Sequence, residues 1–64
     1  MKLKSLKKGT WFTKKSIAEP NEMQVWIKQD YDRESKKYCC VCFGDINKWQ
    51  YIKGDTEVYT EFTF

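Results

Sequence analysis

The chain has 64 residues, with twelve Lys or Arg against nine Asp or Glu, no histidine and a net charge of +3. A chain this short forms one domain and buries only about 60% of the surface its unfolded form exposes. A charged third and the lack of a long apolar run exclude a membrane-spanning helix, and without histidine the usual general base at neutral pH is missing.

Charge is unevenly spread. Residues 1–15 carry Lys2, Lys4, Lys7, Lys8, Lys14 and Lys15 and no acid, whereas residues 54–64 carry Asp55, Glu57 and Glu61 and no base. A basic end can meet phosphates, but terminal lysines also serve simply as a solvated face. No apolar stretch follows the first lysines, so the start does not read as a secretory signal, and a cytoplasmic location is expected. Residues 1–64 are expected to form one domain, with 1–8 as a basic segment that the pattern leaves free to be flexible.

The first β-prone run is Gly9-Thr10-Trp11-Phe12-Thr13-Lys14, and Pro20 and Asn21 then mark a loop. In residues 23–28, Met23, Val25 and Ile27 alternate with Gln24, Trp26 and Lys28, the period of a strand. Residues 30–37 are polar and read as a hairpin loop begun by Tyr31. Residues 38–43 are apolar at both parities, which suits a strand buried on two faces. Gly44-Asp45-Ile46-Asn47 reads as a turn, with one helical turn capped by Asp45 as an option. Residues 49–53, the Gly54-Asp55 turn and residues 56–64 then read as a closing hairpin. In the last run Val58, Thr60, Phe62 and Phe64 share one parity; Glu57, Tyr59, Glu61 and Thr63 share the other.

Five short antiparallel strands with little or no helix predict an all-β fold, a small five-stranded antiparallel SH3-like barrel. An open sheet stabilised by dimerisation is the alternative.

Cys39, Cys40 and Cys42 invite a metal reading. Structural zinc needs four ligands, and strand alternation sets Cys39 opposite Cys40 and Cys42. The cysteines are read as small apolar filler, with no metal and no cofactor. The acids are scattered, no phosphate-binding glycine loop is present, and no enzyme is expected.

The aromatics carry the functional reading. Taking Phe12, Val25, Ile27, Val41, Phe43, Ile52, Val58 and Phe62 as the inside places Trp11, Trp26, Trp49, Tyr51 and Tyr59 outside, with Lys14, Lys28 and Lys53 at the same parity. Rings interleaved with cations suit single-stranded nucleic acid, because bases stack on rings while lysines follow the backbone. The binding set is therefore Trp11, Trp26, Trp49, Tyr51, Lys14, Lys28 and Lys53, in a small non-catalytic module for nucleic acid or nucleoprotein. The competing expectation is a protein partner or homodimer on the same aromatics, with Asp55, Glu57 and Glu61 meeting the basic end of a second copy. A third reading has loops and the N-terminal segment, through Leu3 and Leu6, covering the rings.

The run Leu6-Lys7-Lys8-Gly9-Thr10-Trp11-Phe12, then Tyr31-Asp32-Arg33, Lys36-Lys37-Tyr38, Phe43-Gly44-Asp45-Ile46-Asn47 and Ile52-Lys53-Gly54-Asp55-Thr56-Glu57-Val58-Tyr59 resembles short uncharacterised reading frames of gut Bacteroidetes and their phages and mobile elements. Its opening Leu-Lys-x-Gly-x-x-Phe is similar to the first strand of many SH3-like barrels. The resemblance implies a barrel and carries over no catalytic or binding residue.

Overall fold

The structure, a computed structural model, describes residues 1–62. Four strands form one antiparallel sheet in chain order: β1 (Trp11–Thr13), β2 (Val25–Asp32), β3 (Lys37–Cys42) and β4 (Asp45–Lys53). The described residues contain no α-helix, only single 3₁₀ turns at Leu3–Ser5 and Glu22–Gln24. The all-β expectation with little helix therefore holds at the level of one open sheet.

Local chemistry sets the turns. Asn21 caps the second 3₁₀ turn, its Oδ1 accepting from the Met23 N–H, while the Gln24 side chain accepts from the Asn21 N–H. Asp32 accepts from the Glu34 N–H and the Ser35 hydroxyl, closing the β2–β3 turn. That turn is tighter than the loop expected from residue 30, because β2 continues to Asp32. Gly9 takes a φ of +90°, which favours glycine, just before β1. At Gly44 a Cβ would lie 2.8 Å from the Met23 Sδ and 3.1 Å from the Glu22 carbonyl carbon, so glycine lets the β3–β4 turn pack closely on the capped turn.

The option of a helical turn near Asp45 gives way to strand. β4 begins at Asp45, whose Oδ1 accepts from the Asn47 N–H. The register then slips: Cys42 opposes Asp45, but the adjacent Val41 opposes Trp49. Residues 46–48 therefore bulge from the ladder, and Ile46 is 78% exposed there.

The closing run forms two isolated bridges, Lys2 with Glu57 and Thr13 with Tyr59, in place of a fifth strand. Its alternation holds from 57 to 62: Val58 is buried, Thr60 and Phe62 are half-buried, and Glu57, Tyr59 and Glu61 are exposed. Thr63 and Phe64 lie outside the described residues.

The two ends of the chain clasp each other. Lys4 N–H donates to the Gly54 carbonyl, Leu3 N–H to Thr56 and Val58 N–H to Met1, at 2.8–3.0 Å. The Met1 amine meets Glu57 at 2.6 Å, and Lys4 meets Asp55 at 3.2 Å. This clasp lays Leu3 and Val58 on one sheet face, where both are fully buried with Phe12, Trp26, Cys40, Cys42 and Ile52. Segment 1–8 is thus a structural cover, ordered by the chain's own acidic end.

Leu3 lies at the centre of that cover. Its replacement, Leu3→Ala, should cost about 2–5 kcal/mol, most of the stability so small a core supplies. Ile46→Ala should cost under about 0.5 kcal/mol, since the side chain is solvated. Urea melts of both variants check the contrast.

Candidate functional site: the aromatic outer face

The face opposite the cover is built by cross-strand register. Trp11 opposes Ile27, Ile27 opposes Val41, and Val41 opposes Trp49, a single row across all four strands. Trp11 is 43% and Trp49 58% exposed, with Ile27 and Val41 half-buried between them. Tyr51, 43% exposed, sits two residues along β4 and touches Trp49 edge-on at a centroid distance of 5.6 Å. Phe43 extends the row, its ring 4.8 Å from that of Trp11. Adjacent strands lie about 4.8 Å apart, so the row measures roughly 14 Å from end to end.

One end of this face is basic. Lys37 opposes both Asp32 and Lys53. The Asp32 carboxylate is engaged by its own turn, and among the described residues neither lysine forms an ion pair. Like charges directly opposite each other are destabilising, so this pair favours an anion alongside. Lys53 also borders an open cleft of about 520 Å³, shared with Lys4, Lys36, Tyr31 and Tyr38. That cleft adjoins the basic end of the aromatic row but is separate from it.

The structure divides the expected binding set. Trp11, Trp49, Tyr51 and Lys53 share the outer face. Trp26 and Lys28 do not: they are only 6% and 4% exposed and lie on the covered face. Register explains the correction. Trp26 opposes Phe12 and Cys42, and Lys28 opposes Cys40, all buried, so β2 turns Trp26 and Lys28 inward, while Val25 at its start is buried as expected. Ile27, Val41 and Phe43, expected inside, consequently border the outer face. Covering loops do bury one tryptophan, as the third reading held, but only Trp26.

Lys14 belongs to the inner side as well. Its ammonium lies 4.3 Å from the Trp26 ring centroid and donates to the Gln50 side chain, while Lys48 approaches the same ring at 5.9 Å. Partial burial, and secondarily the Lys48 charge, draw its pKa below the usual lysine value, against the opposing effects of Cys40 and Cys42. Lys28 donates to the Leu6 carbonyl and lies 4.2 Å from the Tyr38 ring centroid. Burial lowers its pKa too. Lys28 is thus a structural cation that ties the N-terminal cover to β2.

The cysteines split as alternation requires: Cys40 and Cys42 are buried, and Cys39 is half-buried on the outer face opposite Tyr51. Among the described residues no cluster of three or more His, Cys, Asp or Glu side chains could hold a metal. Burial, with Cys39 beside it, pushes the Cys40 thiol up to about 11, despite the opposing pull of Lys14 and Lys28. Folding raises this pKa above its ordinary 9.0, so the neutral thiol stabilises the fold below that pH. The contribution is lost as pH rises through about 11.

No family model, curated protein or solved structure matches this chain. No helix among the described residues is long and apolar enough to cross a membrane.

Native alkylation checks the face assignment. At about pH 8, iodoacetamide should modify Cys39 at least roughly tenfold faster than Cys40 or Cys42. Equal labelling, read by peptide mass spectrometry, would contradict the inward orientation of the even positions of β3.

Proposed function

We propose that this chain is a small, non-catalytic, cytoplasmic module that binds single-stranded nucleic acid on its outer sheet face. The observation that carries the reading is an outer face that holds exposed aromatics and, four residues along β3 and β4 from Val41 and Trp49, the cross-strand pair Lys37 and Lys53, which form no ion pair among the described residues. Trp49 and Tyr51 offer π-faces that any base can stack on, Trp11, packed on Phe43, lends the row a further 43% exposed ring, and Lys53 and Lys37 stand where a backbone phosphate would pass. The basic N-terminal segment contributes less than its charge suggests. Lys4 and Lys8 are paired with Asp55 and Asp30, and Lys2 donates to the Asp55 carbonyl.

The finer architecture in this reading is an SH3-like barrel with a rudimentary fifth strand. The Thr13–Tyr59 and Lys2–Glu57 bridges, which return the chain from β4 to β1, support it. A phage or mobile-element origin suits so small a module and rests on the sequence resemblance alone.

The rival is a protein partner on the same surface, favoured by Ile27 and Val41, which add apolar area to the row but no stacking face. One version of it is weakened. Asp55 and Glu57 pair with Lys4 and Met1 of their own chain, so a second copy's basic end would compete with those pairs, and only Glu61 of the three acids forms no ion pair among the described residues. The Met1 amine also holds the Glu57 carboxyl below its usual pKa, by hydrogen bond and charge.

Titration of tryptophan fluorescence with oligo-U and oligo-dT, at low and moderate salt, separates the two readings. Binding should quench emission and weaken with salt by a log–log slope of about −0.7 per phosphate contacted. Trp49→Ala should cost about 1–3 kcal/mol of affinity, and Lys53→Ala should reduce the slope by about 0.7. Absence of binding to either oligomer at low salt sinks the nucleic-acid reading and leaves the protein partner.

A further inference from the structure

β4 is the exposed edge of the sheet. All its residues but Ile52 are exposed, and it carries the two most exposed large hydrophobics on β-strands, Ile46 and Trp49. Among the described residues, no backbone hydrogen bond joins residues 46–52 to anything but β3. The other edge differs: Thr13 of β1 exchanges two backbone hydrogen bonds with Tyr59, at 2.8 and 3.0 Å. β4 is thus the longest open edge among the described residues, and such an edge is a template for another strand.

We infer that β4 pairs antiparallel with β4 of a second copy, about a two-fold axis at Tyr51. The occupant follows from three features of the strand. First, the bulge at residues 46–48 limits regular pairing to residues 49–53. Only a register centred on Tyr51 spans all five, with the Lys53 carbonyl also accepting from the Thr56 N–H at 3.0 Å.

Second, that register is self-complementary. It sets Tyr51 against its own counterpart and Trp49 of each copy against Lys53 of the other, on the outer face. Directly opposed Cβ atoms lie about 4.5–5.5 Å apart, within reach of a cation–π contact at both ends. The two Lys53 residues lie at opposite ends of the pairing and do not repel at close range.

Third, the pairing closes. A two-fold β4 contact uses the same strand of both copies and is closed by its own symmetry, and Tyr59 bridges Thr13 at the β1 edge. The product is an eight-stranded sheet in which the two aromatic rows run in opposite directions from the axis, offset by four residues along β4, both on the outer face. For a chain with so small a core, pairing also supplies stability that the monomer lacks.

The inference does not depend on nucleic-acid binding, so its test omits nucleic acid. Sedimentation equilibrium on the full chain should show a concentration-dependent monomer–dimer equilibrium. Tyr51→Lys places two lysines on the axis and should weaken dimerisation at least tenfold, and Tyr51→Glu should do the same. An equimolar mixture of the two variants should recover the dimer as a heterodimer, which also shows that both have folded. A wild-type chain that stays monomeric at every concentration overturns the inference. So does a Tyr51→Lys chain as dimeric as wild type, or a mixture that stays monomeric.

Discussion

Everything on the sheet depends on the main-chain clasp between residues 1–4 and 54–58. A single antiparallel sheet has two faces, and a chain of this size has material to cover only one. The clasp decides which. Its backbone hydrogen bonds hold Leu3 and Val58 over Phe12, Trp26, Cys40, Cys42 and Ile52, and Lys28 adds a tie from β2 to the Leu6 carbonyl. On the opposite face Thr13 and Val25 are buried, Ile27 and Val41 are half-buried, and Trp49 and Tyr51 stay exposed.

The clasp also reassigns the chain's charge asymmetry. Basic and acidic ends look like two separate recognition surfaces when read along the sequence. Folded, they neutralise each other through Met1–Glu57 and Lys4–Asp55. These exposed pairs add little energy individually and serve mainly to align the two ends. The cations left for a ligand are those the clasp does not use, and on the outer face they are Lys37 and Lys53.

Alternation along single strands was legible in the sequence. It correctly set Phe12, Ile52 and Val58 inside, and Trp11, Trp49 and Tyr51 outside. The parity of β2 and β3 was not legible, because both parities there carry apolar side chains. Val25 is buried as expected, but hydropathy also favours burying Ile27 and Val41 over Trp26 and Lys28. Register decides otherwise: Phe12 is buried, its cross-strand partner Trp26 must share its face, and Cys42 follows. The small cysteines leave room beneath Leu3 and Val58. Lys28 fits because its aliphatic stem packs while its ammonium reaches the Leu6 carbonyl and the Tyr38 ring. The bulge at residues 46–48 gives no sequence signal of its own, since it arises from pairing with β3.

One covered and one aromatic face require the three tryptophans to be sorted between them, and single-tryptophan variants measure that sorting directly. With the other two replaced by Phe, chains retaining Trp11 or Trp49 should emit at long wavelength and be strongly quenched by acrylamide. The chain retaining Trp26 should emit at shorter wavelength and be protected. Equal quenching of all three, or a protected Trp49 in the monomer, would contradict a sheet with one clasped face and one open aromatic face.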